Sequence, residues 1–142
     1  MLDASHIKTG VQVATWKEAI KAAGVLLVEA RSCTSGYVEA MITSVEELGP
    51  YIVITPSVAL AHARPNHHVH QADMSLVVLD EAVAFGSASN DPVKLVFAFC
   101  ATDDKSHLEQ LSKLASILNP ETINQLAEVE DAREAIKILG GA

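Results

Sequence analysis

The sequence predicts an α/β fold, a single-domain sandwich in which helices flank a mixed β-sheet. Helical periodicity near the amino terminus, a central block of about four short apolar runs and helical periodicity again at the end predict it. A length of 142 residues suits one domain with a real core, and 49% hydrophobic with 20% charged residues is typical of compact chains. We therefore expect one domain over residues 1–142.

Two amphipathic helices are expected before the strands. Thr15-Trp16-Lys17-Glu18 has the form of a capping box, and apolar residues follow at helical spacing to about Ala30. Ser35 is the expected cap of a second helix, which Gly49-Pro50 ends. The side chains expected to face inward are Trp16, Ala19, Ile20, Ala23, Leu26 and Leu27, then Tyr37, Val38, Met41 and Ile42.

The middle of the chain carries the expected strands. Residues 1–14 are weakly patterned and are expected to be irregular or a short strand. Asp80-Glu81 is interpreted as a turn between a strand and its short return strand. The expected strands are Tyr51–Ile54, which leads into the loop of His62, then Met74–Leu79, Val83–Phe85 and the apolar run Val93–Ala101.

Helices are expected again after residue 101. Ser106-His107-Leu108-Glu109 has the form of a second capping box, and Asn119-Pro120 is expected to cap a short helix to about Leu126. A last helix is expected from Asp131 to Leu139, ending on Gly140-Gly141. The inward side chains expected in the first of these helices are Leu108, Leu111, Leu114, Ala115 and Leu118.

Charge and targeting signals narrow the function classes. The formal net charge is −8, from 18 acidic and 10 basic residues, which disfavours nucleic acid and anionic membranes and suits docking to a basic protein. No apolar run approaches the ~20 residues of a membrane span, and no secretory signal is evident, so a cytoplasmic location is expected. Cys100 is expected to be buried, whereas Cys33 lies in a short connection and could be exposed.

A cluster of histidines carries the chemistry. Four of the six histidines lie between residues 62 and 70, and His62 follows a short apolar run. Imidazole can act as a nucleophile, a general base or a metal ligand, so three hypotheses are open. Arg64 favours phosphate, because a guanidinium pairs with phosphate oxygens and repels a cation. The small residues Ala61 and Ala63 leave room for a large partner, whereas the competing interpretation is an ordinary loop histidine.

His107 is a second candidate site residue. It follows Ser106 at the start of a helix that comes after a strand, where free amide hydrogens and the helix dipole favour an anion. If this loop and the His62 loop converge, His107 can donate a hydrogen bond to a phosphoryl group on His62. The alternative is a solvated residue of the first helical turn.

Two metal hypotheses are weaker. His67, His68 and His70 together with His62 match no familiar zinc spacing, and an exposed polar loop is the favoured interpretation. Asp103-Asp104 resembles a magnesium clamp only superficially and is expected to form a helix entrance. We expect no metal, and the absence of a glycine-rich phosphate loop argues against a nucleotide cofactor.

The run Gly49–Ile54, followed by Ala59-Leu60-Ala61-His62-Ala63-Arg64-Pro65, resembles the enzyme IIA component of the bacterial sugar phosphotransferase system. The resemblance is to the mannitol/fructose type and, within it, the ascorbate-like group. Asn90-Asp91-Pro92-Val93 and His107 also match, so that the resemblance covers about residues 10–140.

The resemblance implies a phosphoryl relay. His62 would accept a phosphoryl group from the phosphorylated carrier HPr and pass it to a cysteine of an enzyme IIB (EIIB), with His107 and Arg64 neutralising charge. The membrane component EIIC would be involved only indirectly, no cofactor is implied, and a homodimer is left open. L-Ascorbate is the transported sugar that the resemblance favours.

This sequence also departs from the family pattern. Ala61 stands where a proline usually precedes the active histidine, and Asn66-His67-His68 stands where an acidic residue and glycine are common. The arginine that mannitol-type members carry in the stretch matching Met41–Ser44 is absent, so Arg64 is expected to hold the phosphoryl oxygens. A regulatory module of the same fold and a histidine-rich metal-binding module remain as alternatives.

Overall fold

The computed structural model describes residues 2–140 and contains one mixed sheet with helices on both faces. The strands are β1 (Ile7–Val11), β2 (Val53–Thr55), β3 (Val58–Ala61), β4 (Asp73–Val83) and β5 (Val93–Cys100). The helices are α1 (Trp16–Glu29), α2 (Ser35–Leu48), α3 (Asp104–Ile117), α4 (Pro120–Ala127) and α5 (Ala132–Gly140). The predicted α/β sandwich with a mixed sheet is confirmed. None of the helices within residues 2–140 combines the length and apolarity needed to span a bilayer.

The sheet brings the ends of two strands to the same edge. The strand order is β1-β4-β5-β3-β2, with β5 in the centre. β3 and β5 run parallel and pair from Val58 opposite Leu95 to Ala61 opposite Ala98. His62 directly follows β3, and the loop to α3 follows β5, so both loops leave from one edge of the sheet. Such an edge is where open α/β sheets place their ligands.

Two apolar cores lie on opposite faces of the sheet. One contains buried residues of α1 and α2, and the other contains buried residues of α3, α4 and α5. Because successive strand residues point to opposite faces, Ala59 and Ala61 belong to the first core while Val58 and Leu60 belong to the second.

The predicted starts of α1 and α4 are confirmed, and the start of α2 is shifted by one residue. The Thr15 side chain accepts a hydrogen bond from the Glu18 amide at 3.3 Å, and Asn119 accepts from the Thr122 amide at 2.9 Å. The cap of α2 is Thr34 and not Ser35. Thr34 makes no side-chain bond to a helix amide because its hydroxyl is bound elsewhere, as described below.

Three strand predictions need correction. The first central strand is Val53–Thr55, not Tyr51–Ile54, and the separate strand β3 leads into His62. The predicted turn at Asp80-Glu81 and the predicted separate return strand Val83–Phe85 are both wrong, because β4 continues through the exposed residues Asp80 and Glu81 and ends at Val83. A register shift against β5 between Val78 and Val83 accommodates them, and pairing with β5 resumes at Val83 opposite Val93.

Two of the three carboxy-terminal helices, α3 and α5, begin elsewhere than predicted. Asp103 caps α3 by accepting from the Ser106 amide at 2.8 Å, so the helix begins three residues before the predicted position. Of its predicted inward residues only Leu114 is buried, and Leu108 is 63% exposed, because only a narrow stripe of α3 packs on the sheet. The last helix begins at Ala132, and the predicted terminal Gly141 lies outside the described residues.

The two cysteines are both buried, so the expectation that Cys33 could be exposed is wrong. Cys33 pairs with Val69 in an isolated antiparallel bridge, which covers it with the chain that follows the His62 loop. That segment is thereby attached to the connection before α2.

The first turn of α2 holds the far end of the His62 loop. The Thr34 amide donates to the His68 carbonyl at 2.9 Å, and the Thr34 hydroxyl lies 2.7 Å from His68 Nδ1. The His68 ring lies directly over Gly36, so that a Cβ at this position would overlap the ring. Gly36 is therefore needed for close approach and not for an unusual backbone conformation.

We predict that the effect of Gly36→Ala on stability changes sign with the residue at position 68. In the native background the new methyl displaces the His68 ring, and we expect a loss of about 1–3 kcal/mol in the free energy of unfolding. In a His68→Ala background the overlap is gone, and the better helix propensity of alanine gives a gain of up to about 1 kcal/mol. Denaturant unfolding of the four proteins measures both values; the same sign in both backgrounds would contradict the packing described.

Candidate active site

His62 is held in one tautomer by β3, the strand that precedes it. The ring lies at the first position after β3, and its Nδ1 is 2.8 Å from the carbonyl oxygen of Leu60. Because a carbonyl can only accept, Nδ1 carries the hydrogen and Nε2 keeps a free lone pair. His62 is therefore prepared as a nucleophile at Nε2.

The electrostatic surroundings keep His62 neutral. Burial lowers its pKa below the ordinary value, the hydrogen bond to Leu60 opposes this by raising it, and proximity to His107 lowers it further. The net pKa shift is downward. At neutral pH the ring is therefore uncharged and its lone pair is available.

Three aromatic rings surround the His62 imidazole. The Phe99 ring stacks on it with centroids 5.0 Å apart and an interplanar angle of 20°. Tyr51 and His107 meet it nearly at right angles, at 5.4 and 5.2 Å. The Tyr51 hydroxyl also donates to the His62 carbonyl at 3.2 Å. Phe99 thus contacts the face of the His62 ring, and Tyr51 and His107 contact it from two other sides.

His107 reaches the site through its side chain. The structure brings it beside His62, as the convergence hypothesis expected. Its amide donates to the Asp103 carbonyl at 3.1 Å and is not free, so the predicted role for a free amide at this residue is wrong. Burial lowers the pKa of His107, an effect that Asp104 partly opposes. The neutral ring retains one N–H that can serve a bound anion.

His62, Arg64 and His107 line one cavity of about 540 Å³. α2 contributes Ser44 and Glu47 to the same wall. Arg64 is exposed and forms no ion pair with any residue between 2 and 140. Its guanidinium is thus free to meet an anion that enters the cavity.

The other histidines of the loop lie outside this cavity. His67 and His70 are exposed, and His68 turns away toward Thr34. In the part of the chain that the structure describes, no group of three or more His, Cys, Asp or Glu side chains is placed to hold a metal. Asp103 serves as the cap of α3, in agreement with its predicted place at a helix entrance.

Comparison with known proteins identifies the family. Residues 1–141 match the sequence profile described as "Phosphoenolpyruvate-dependent sugar phosphotransferase system, EIIA 2". The chain belongs to this EIIA family. It is thus a phosphotransferase component, as the resemblance implied.

Three relatives illustrate the range of this EIIA family. The ascorbate-specific PTS EIIA component of Salmonella typhimurium strain LT2 is 31% identical over 137 residues, covering 95% of this chain and 89% of the relative. Mannitol enzyme IIA of Escherichia coli, solved in complex with phosphorylated enzyme IIB, superposes with a TM-score of 0.89 at 28% identity, covering 100% of this chain and 99% of the other. Nitrogen regulatory protein IIA-Ntr of Neisseria meningitidis gives a TM-score of 0.81 at 30% identity, covering 96% and 94%.

A larger cavity of about 870 Å³ in this EIIA-family chain lies between the start of β4 and α3. It is lined by Asp73, Met74, Leu108, Gln110 and Lys113 among others, and by no histidine or cysteine. The smaller cavity is therefore the better candidate, because it contains an activated nucleophile.

Sequence patterns alone missed the aromatic residues of the EIIA site. The sequence pattern assigns Tyr51 to an expected strand and Phe99 to the apolar run of another, whereas in the structure both rings contact His62. The signal for Tyr51 was its position directly after Gly49-Pro50, where a strand has not yet begun. Phe99 carried no signal, since it lies in a continuous apolar run.

The tautomer and the lowered pKa give a direct prediction. At pH 7.5 we expect ¹⁵N shifts of a protonated Nδ1 and an unprotonated Nε2 at His62. The ring should gain its second proton only as the pH falls below 6.5, because burial disfavours the charged form. An NMR pH titration of ¹⁵N-histidine-labelled protein, assigned with His62→Gln, measures both. A protonated Nε2 at neutral pH, or a midpoint above 6.5, would contradict the geometry.

Proposed function

We propose that His62 accepts a phosphoryl group on Nε2 from phosphorylated HPr and passes it to a cysteine of an EIIB protein during the uptake of L-ascorbate. The observation that supports this most strongly is the Nδ1–H hydrogen bond to Leu60, because it leaves Nε2 unprotonated on a ring that lines the cavity. The coarser role, that of a phosphotransferase component, follows from membership of the EIIA family.

The proposed reaction needs no proton transfer at the attacking atom. The Nε2 lone pair forms the bond to phosphorus while the bond between phosphorus and the donor breaks, the electron pair of that bond leaving with the donor. The other ring hydrogen stays on Nδ1, where it remains hydrogen-bonded to the Leu60 carbonyl. Such transfers run in line through a loose transition state, so the protein contributes positioning and charge stabilisation. The stacked Phe99 ring and the Leu60 bond limit rotation of the imidazole.

Charge stabilisation is assigned to His107 and Arg64. The His107 ring centroid is 5.2 Å from that of His62, close enough for its N–H to reach an oxygen of a group on Nε2. Arg64 is the cationic residue among those that line the cavity, and its planar fork suits phosphoryl oxygens. Ser44 lines the wall formed by α2, from the stretch in which mannitol-type members carry an arginine.

Two features support the finer assignments of partner and sugar. The Salmonella relative is named as ascorbate-specific, which supports L-ascorbate, and the mannitol enzyme IIA structure contains phosphorylated enzyme IIB, which supports an EIIB acceptor. The acidic balance of −8 suits a basic face on HPr, as it also suits solubility. EIIC is a partner only through EIIB, and a homodimer is left open.

A regulatory role is the second candidate, because the Neisseria relative is named a nitrogen regulatory protein. In that role, phosphorylation of His62 would alter binding to a controller instead of feeding transport. Addition of ascorbate-type EIIB to the phosphorylated protein separates the two candidates. Loss of label to an EIIB cysteine supports the relay, and retention of the label supports regulation.

We predict that His62→Ala abolishes phosphorylation without unfolding the protein. The His62 ring carries the nucleophile that we assign to the cavity, so replacing it with alanine removes the phosphoryl acceptor. Because His62 is partly exposed, we expect the fold to tolerate the smaller side chain. The protein is incubated with HPr, phosphoenolpyruvate and the kinase that phosphorylates HPr from phosphoenolpyruvate. Intact-mass spectrometry at alkaline pH then measures the added phosphoryl group. His67→Ala is the matched control, since His67 is exposed and outside the cavity. Normal labelling of His62→Ala would overturn the proposal.

His107→Ala should slow the transfer without removing the acceptor. Loss of one hydrogen-bond donor to a developing anion typically costs on the order of 10²-fold in rate. Rapid-quench kinetics with phosphorylated HPr measures this rate, and His70→Ala is the control because His70 is exposed and does not line the cavity. An unchanged rate for His107→Ala would remove His107 from the mechanism.

A further inference from the structure

One fully buried hydroxyl touches the backbone on both sides of the candidate site. The side chain of Tyr37, on α2, is 0% exposed. Its oxygen lies 3.0 Å from the amide nitrogen and 3.1 Å from the carbonyl oxygen of Ala63, and 2.8 Å from the carbonyl oxygen of Phe99. Ala63 follows His62 directly in the chain, and Phe99 provides the ring that stacks on His62.

The distances determine which hydrogen bonds the Tyr37 hydroxyl donates and which it accepts. The hydroxyl accepts the Ala63 N–H and has one hydrogen to donate, which the shorter distance directs to Phe99. Burial raises the pKa of Tyr37 well above its usual value, so the hydroxyl keeps its hydrogen at every working pH. The Tyr37 hydroxyl therefore donates one hydrogen bond and accepts another at the same time.

The Tyr37 hydroxyl links the two chains just beyond the last backbone pair of β3 and β5. The parallel ladder between β3 and β5 ends at Ala61 opposite Ala98, just before His62 and Phe99. Beyond that point Tyr37 joins the two chains, accepting from one and donating to the other in the manner of an additional rung. Without it, the Ala63 amide and the Phe99 carbonyl would lose a buried partner.

The alternation along the chain explains why the link comes from α2. His62 packs beside Phe99 and His107, whereas Ala63 lies in the core formed by α1 and α2. A residue of α2 can therefore hold the backbone at Ala63 without occupying the space in which His62 would react. The hydroxyl itself is not among the groups that line the cavity.

We propose that Tyr37 is a positioning residue for phosphoryl transfer at His62. It holds the backbone next to the nucleophile and the backbone of the stacked Phe99 in fixed relation, and so fixes the direction of Nε2. This inference rests on the proposed function. A misplacement of about 1 Å at a reacting atom can cost on the order of 10²-fold in rate.

The test is Tyr37→Phe, which keeps the ring and removes the hydroxyl. In single-turnover kinetics with phosphorylated HPr, we expect the maximal rate to fall by about 10- to 100-fold. The HPr concentration at half-maximal rate should be unchanged, because the buried hydroxyl does not contact a docking partner. In the unphosphorylated variant, the ¹⁵N ring signals of His62 should move toward a mixture of tautomers, a change that loss of stability alone would not produce.

Ser75→Ala is the matched control for the loss of a buried hydroxyl. Ser75 is 0% exposed, and its hydroxyl donates to the Ala23 carbonyl in α1 at 2.7 Å and not to His62, Ala63 or Phe99. We expect this variant to transfer at the native rate with native His62 signals. Equal slowing of the two variants would show a general effect of stability and overturn the proposal.

The outcomes separate this inference from the proposed function. If the native protein takes no phosphoryl group, the proposed function fails, while the His62 signals of Tyr37→Phe still decide the positioning role. If the native protein is labelled at His62 and Tyr37→Phe shows native rate and native ring signals, the positioning role alone fails. Should Tyr37→Phe not fold, hydrogen exchange of the native Ala63 amide decides: protection equal to that of β3 supports the rung, and exchange as in an exposed loop overturns it.

Discussion

The hydrogen bond from His62 Nδ1 to the Leu60 carbonyl is the constraint on which the site depends. A free imidazole exchanges between two tautomers and rotates, and either change would remove the lone pair from the cavity. A backbone carbonyl two residues earlier prevents both, because it accepts only and is fixed by its own strand. Under the proposed function, β3 thus holds the nucleophile that follows it and determines which of its nitrogens can react.

The two layers of the fold contribute different things to this edge of the sheet. The face covered by α3 supplies His107 beside the ring, while the face covered by α2 supplies the wall of the cavity and the Tyr37 hydroxyl. This division follows from the period of two in an extended chain, which directs His62 and Ala63 to opposite faces. The His62 side chain and the hydroxyl that supports the backbone at Ala63 therefore do not compete for space.

The sequence predicts the fold class and the residues that line the cavity better than the residues that hold those side chains in place. His62, Arg64 and His107 follow from residue type and from their places after strands, and strand topology brings all three to one edge. Tyr37 was predicted to face inward, which is correct, but nothing local shows where its hydroxyl goes. The start of α3 differs from the prediction because Asp103 and Ser106 are both residue types that cap helices, and the structure uses Asp103.

The balance of charge in the cavity bears on the proposed role as a carrier. A carrier must release its phosphoryl group as readily as it accepts it, so tight binding of the phosphorylated state would be a disadvantage. The lining contains one exposed arginine, Arg64, with Glu47 on the same wall and a neutral imidazole at His107. A solvated arginine gives a weaker attraction than a buried one, since water and salt screen it. Under the proposed function, this modest neutralisation favours passing the group on over storing it.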